Sequence, residues 1–184
     1  GRLVAYAAAL ARRRLGDEPA AAQLAARAAA ALDASDVSAA ARLQAAQLLA
    51  HWGAVEWCLA EHAAIIDDAE SAIGMLALST LTCAEYLHEL GRDAEASALL
   101  HRLFAGPGRR EGIEPAIQQV GHDPANVRAR MHFFASCAAA ASGDPAGERR
   151  HLEEALRAHD KEVDSLIAIY RLAGSASSRC RRSP

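Results

Sequence analysis

Apolar residues recur along this chain at the three-and-four spacing of a helix face, and no stretch alternates with the period of two that marks a strand. The clearest stripe is Val163, Leu166, Ile167 and Tyr170, at i, i+3, i+4 and i+7 with polar residues opposite. It predicts an amphipathic helix over 162–172 that lies on a neighbouring element. Read in the same way, the remaining pattern predicts helices over 3–15, 18–32, 38–51, 54–68, 71–90, 93–105, 115–120, 124–142 and 145–159.

Proline supports these boundaries, since its fixed φ and missing donor suit the first helical turn but not the interior. Pro19 follows Asp17-Glu18, and Pro115, Pro124 and Pro145 each follow an acidic residue able to accept from free first-turn amides. Pro107 stands between Gly106 and Gly108 after a predicted helix end, and Pro184 closes the chain. No proline is expected to interrupt a helix.

The helices pair around single glycines. Leu15-Gly16-Asp17, Trp52-Gly53-Ala54, Leu90-Gly91-Arg92 and Ser142-Gly143-Asp144 each lie between two predicted helices, their glycines 37, 38 and 52 residues apart. This is the signature of a hairpin repeat with one insertion, at about Gly106 to Gly121. Glycine belongs there because the chain must leave the first helix through a left-handed conformation, which costs other residues about 1 kcal/mol or more.

Position by position from these glycines, the units resemble the tetratricopeptide repeat (TPR) family, with a HEAT-like or other helical-hairpin solenoid as the alternative. The third unit matches best: Ala84 falls at the small position of the first helix, Leu87 at the large one, Ala96 at the small position of the second helix, and Leu100 and Leu103 on its buried stripe. Ala21 and Ala28 match in the first unit, and Leu152 and Ala155 in the fourth. Cys58 and Glu148 stand where small residues belong, the proline that closes each family repeat is missing, and the periods run longer than the family's. The resemblance implies an all-α, right-handed superhelical solenoid of antiparallel hairpins, about four repeats over 1–173 with 162–172 as the capping helix, followed by a flexible tail over 174–184.

Composition narrows the function classes. Hydrophobic residues make up 52% of the 184, but aromatics only 4%, a bias toward helix and small-residue packing. A length of 184 residues supports one substantial core. Twenty basic residues against 23 acidic ones leave a net charge of −3 and no electrostatic footprint for nucleic acid or an anionic membrane. Four cysteines without a C-x-x-C pair fit a reducing compartment, and no apolar run reaches the length of a span, so a cytoplasmic location is expected. Lys161 is the only lysine beside many arginines, a usage that suggests a GC-rich genome, and a bacterial source is expected. The chain begins at Gly1 rather than methionine and reads as an excerpt, with room for a removed export signal or a neighbouring domain.

No catalytic, cofactor or metal motif is present: neither G-x-S-x-G, nor a phosphate-binding glycine loop, nor H-E-x-x-H. Cys58 and His62 lie four apart on one helix face but fall on positions the repeat buries, and are expected as a packed thiol and a hydrogen-bonded histidine. Cys83 and Cys137 read as small core residues, and Cys180 as a thiol in the basic tail. Trp52 and Trp57 flank the second turn and are expected to plug the gap between hairpins. Glu153-Glu154 and Asp67-Asp68-Glu70 read as solvated helix faces or helix ends.

The family resemblance implies a groove lined by exposed first-helix positions that meets a segment of a partner protein. By offset from each glycine these are Tyr6, Arg13 and Arg14, then Gln47 and His51, then Glu85, His88 and Glu89, then Arg130 and Phe133. Arginine pairs bidentately with carboxylates and aromatic rings supply rigid apolar contact, a set suited to peptide recognition. The lysine- and asparagine-rich clamp of chaperone-tail-binding members is absent, with Tyr6 and Leu10 at its first two places, so a chaperone C-terminus is not the expected ligand. The expected function is a non-enzymatic interaction or scaffold module without cofactor. The alternative is a regulatory or sensor portion of a larger signalling, transcriptional or secretion protein.

Overall fold

The computed structural model describes residues 2–30, 38–105 and 110–161. The expected capping helix over 162–172, the tail over 174–184, Cys180, Pro107 and Pro184 lie outside these residues. Among the described residues the chain is all α, with helices α1 (Arg2–Arg14), α2 (Glu18–Ala30), α3 (Ala39–His51), α4 (Val55–Asp67), α5 (Ile73–Glu89), α6 (Asp93–Ala105), α7 (Arg110–Gln119), α8 (Pro124–Ser142) and α9 (Pro145–Ala158). No described helix is long and apolar enough to cross a membrane. Two compact units divide within α5, Gly1–Tyr86 and Leu87–Pro184.

The turns are built to one plan. Gly16, Gly53, Gly91 and Gly143 all have φ between 72° and 80°, and a fifth, Gly121, joins them at 87°. At each, the glycine N–H donates three residues back and the next N–H five back: Gly91 to the His88 carbonyl at 2.9 Å and Arg92 to that of Leu87 at 2.8 Å, Gly143 to Ala140 at 3.1 Å and Asp144 to Ala139 at 2.9 Å. These are the two bonds that satisfy the last free carbonyls of a helix when its exit residue is left-handed. The departing chain is then caught by an acidic cap: Asp17 accepts from Ala20, Asp123 from Ala125 and Asp144 from Gly147.

In the first unit α1 packs on α2 and α3 on α4, and α2 meets α4. Their shared core is small-residue packing of Ala9, Ala25, Ala28, Ala46 and Ala54 around Tyr6, Leu49 and Cys58, with Trp52, Trp57 and Tyr86 half-buried at its margin. In the second unit α8 packs on α9 and α6 on α8, while α7 touches both α6 and α8. Burial recurs at fixed offsets from four of these glycines. Seven residues before the four repeating glycines stand Ala9, Ala46, Ala84 and Ser136, all buried; twelve after them stand Ala28, Ile65, Leu103 and Ala155, also buried.

One expectation needs correction. The helix expected over 115–120 is Arg110–Gln119, with Pro115 inside it rather than at its start. Ile113, Ala116 and Ile117 form an i, i+3, i+4 stripe that is buried, and its burial carries the helix through a proline whose ring faces solvent. In the last hairpin the close approach is made not at Glu148 but at Gly147, which is buried. A Cβ there would collide with the Asp144 carboxylate and reach 3.4 Å from the Ala139 methyl.

Candidate functional site

The expected groove residues fall into both units. In the first, Arg14, Gln47, His51 and Glu85 are exposed. Arg13 is half-buried, its guanidinium 4.3 Å over the Trp57 ring and its Nε 3.3 Å from the Glu18 carboxylate. In the second, Glu89 is exposed and Arg130 half-buried. His88 stacks on Phe134 at 4.4 Å, meets the edge of Phe133 at 6.1 Å and pairs through Nδ1 with Asp93.

Tyr6 and Phe133 are not on the exposed surface: their relative exposures are 1% and 3%. Both lie ten residues before a turn glycine, where Leu81 also sits and is buried, so the offset marks a core position. The structure thus brings Tyr6 and Arg13 together at Trp57, with ring centroids of Tyr6 and Trp57 5.8 Å apart, and His88 together with Phe133.

Beneath Tyr6 is a charged cluster. Glu61 of α4 is 1% exposed, yet its carboxylate accepts from the Tyr6 hydroxyl and pairs with Arg2, and Arg42 Nη1 lies 4.0 Å away. Three helices therefore converge on one buried anion. Burial pushes the Tyr6 phenol up and draws the Arg2 guanidinium down from its ordinary value. The signal for this cluster is a glutamate within the apolar run of Cys58, Leu59, Ile65 and Ile66. His62 beside it is also buried, but its Nδ1 has no hydrogen-bond partner among the described residues, contrary to the expected bonded histidine, and burial lowers its pKa to about 4. Cys58, Cys83 and Cys137 are buried thiols outside any disulfide. Burial raises Cys58 to about 11 and Cys137 to about 12, which keeps them protonated and poor nucleophiles.

The second unit holds a half-buried cluster built across one hairpin. His132 of α8 and His151 of α9 place their Nδ1 atoms 3.1 and 3.2 Å from the same oxygen of Glu154, their rings stacked at 6.2 Å and 22°. Burial lowers the His132 pKa, the Glu154 carboxylate opposes this, and His151 and His101 add to the lowering. Beyond His101 a pocket of about 510 Å³ is lined by Phe104, Ile113, Glu114, Arg128 and Met131. Arg128 lies 4.5 Å over the Phe104 ring and 2.5 Å from Glu114. Comparison of the chain with protein-family models, with curated proteins and with solved structures returns no match.

Proposed function

We propose that this chain is a non-enzymatic, TPR-like interaction module, a solenoid of helical hairpins whose first helices receive a segment of another protein. The observation that carries this reading is repetition: one turn geometry recurs at five glycines, and one burial register recurs at four of them. Such arrays serve as platforms, because stacked hairpins bury a continuous core between neighbours and leave an extended concave face for binding. In the first unit the binding surface is formed by Arg13 and Arg14 at the end of α1 and Gln47 and His51 at the end of α3. Arg13 is preorganised by its stack on Trp57, so its remaining donors are held for a carboxylate with little further loss of rotamer freedom. The ligand is an acidic segment.

Selection of a randomised displayed peptide library on the intact chain tests this. Enriched peptides should be acidic, bind more weakly as salt is added, and lose affinity for an Arg13→Glu/Arg14→Glu variant while retaining it for Arg157→Glu on α9. An absence of enrichment, or peptides that bind the double reversal as well as the parent, would refute the assignment.

A further inference from the structure

We propose that His132, His151 and Glu154 form a binding site for a divalent first-row transition metal, with Zn²⁺ the best match, which staples α8 to α9. The residue types suit that ion: imidazole nitrogens and a carboxylate oxygen are borderline-to-hard donors that Zn²⁺ takes in threes, leaving a fourth position for water. The geometry suits it as well. A tetrahedral site with bonds of about 2.0–2.1 Å has edges of about 3.3 Å between ligand atoms. Two edges are already close to that length, at 3.1 Å from His132 Nδ1 and 3.2 Å from His151 Nδ1 to one Glu154 oxygen, and the three ligand atoms all lie within 4.8 Å of one another.

Helix packing alone brings these groups together. His151 and Glu154 are one turn apart on α9 and so share a face, and that face lies against His132 because α8 and α9 pack as a hairpin. Each side chain retains about a third or less of its exposure, with 28% for His132, 27% for His151 and 34% for Glu154, enough for an ion to enter from solvent and little enough that the rotamers are restrained. The site shares no residue with the first-unit surface proposed for peptide binding, and the two proposals stand or fall independently.

Isothermal titration of the metal-stripped intact chain with ZnCl₂ tests this, with MgCl₂ as control and circular dichroism to verify the fold of each variant. One Zn²⁺ per chain should bind with a rise in thermal midpoint. His132→Gln, His151→Gln and Glu154→Gln should each weaken binding by roughly a hundredfold or more, at or above the loss usual for an outer-shell partner. Co²⁺ substituted for Zn²⁺ should give visible d–d bands of tetrahedral intensity without a thiolate charge-transfer band. Zn²⁺ binding unchanged in a folded His132→Gln/His151→Gln variant, a thiolate band with Co²⁺, or no Zn²⁺ binding by the parent would each overturn the proposal.

Discussion

Tyr6 of α1 donates its hydroxyl to Glu61 of α4, fifty-five positions later, so that a phenol and a carboxylate share the interior of the first unit. The pair is held in place by Arg2, whose guanidinium neutralises Glu61, and by Arg42 nearby. Removing one partner of such a buried set leaves the others charged and desolvated, which costs more than the contact itself is worth.

Glu61→Gln is therefore expected to destabilise the chain by about 3–5 kcal/mol, and Tyr6→Phe, which removes a single donor, by about 1–2 kcal/mol. Denaturant unfolding followed by circular dichroism measures both. Equal losses in the two variants would show that the carboxylate is stabilised by solvent rather than by the arginines.

His62 makes stability depend on pH in a defined window. Its pKa falls from 6.5 to about 4 on folding because burial penalises the imidazolium, so the unfolded chain takes up its proton first. The stability associated with neutral His62 is present in full above pH 6.5 and is lost as pH falls toward about 4, a total of roughly 3 kcal/mol. His62→Leu should remove this component and, by deleting an unpartnered buried Nδ1, cost little at pH 7. The parent-minus-variant difference in unfolding free energy at several pH values isolates it from the carboxylates. A difference constant from pH 7 to pH 4.5 would mean that His62 is solvated in the native state.

Ala84 and Ala96 are expected to be intolerant of size. Both are essentially without exposure, and Ala96 stands in the helix that packs on α8, next to Ser97, whose hydroxyl donates to the Met131 carbonyl at 2.9 Å. Ala84→Leu and Ala96→Leu should each cost roughly 1–3 kcal/mol by overpacking. Thermal midpoints equal to that of the parent in both would reject the repeat register.

Local features were the most legible in the sequence. A left-handed helix exit is met by glycine at no steric cost, so Gly16, Gly53, Gly91 and Gly143 announce their turns one residue at a time, and Asp144-Pro145 and Asp123-Pro124 announce the caps that follow. Gly121 makes the same turn but falls outside the repeat period, which a search for periodicity passes over. Pro115 misleads because its local preference for a helix start is overridden by the burial of Ile113, Ala116 and Ile117 around it.

Long-range chemistry was less legible, because it depends on which helix faces which. His132 and Glu154 look unrelated along the chain, yet they stand eleven residues before and eleven after Gly143, and in a hairpin residues equidistant from the turn lie level with each other. The cue is symmetry about the turn rather than a motif spacing. Tyr6 reads as a groove residue for a related reason: an aromatic with a hydroxyl suits either a groove or a core that supplies an acceptor, and the acceptor, Glu61, is a whole hairpin away.

The short glycine turns and the Arg2–Glu61 pair also differ in how much chain must be organised to make them. Each hairpin turn closes over a few residues, whereas Arg2 and Glu61 are separated by 59 positions. Since closure entropy grows as about 1.5RT times the logarithm of loop length, the ion pair carries roughly 2 kcal/mol more ordering cost than a turn closed over about five residues. The hairpins are thus the contacts a folding chain makes cheaply and early, and the buried charges are met only once α1 and α4 have come together. The cluster acts as a late latch, holding shut an assembly whose parts form without it.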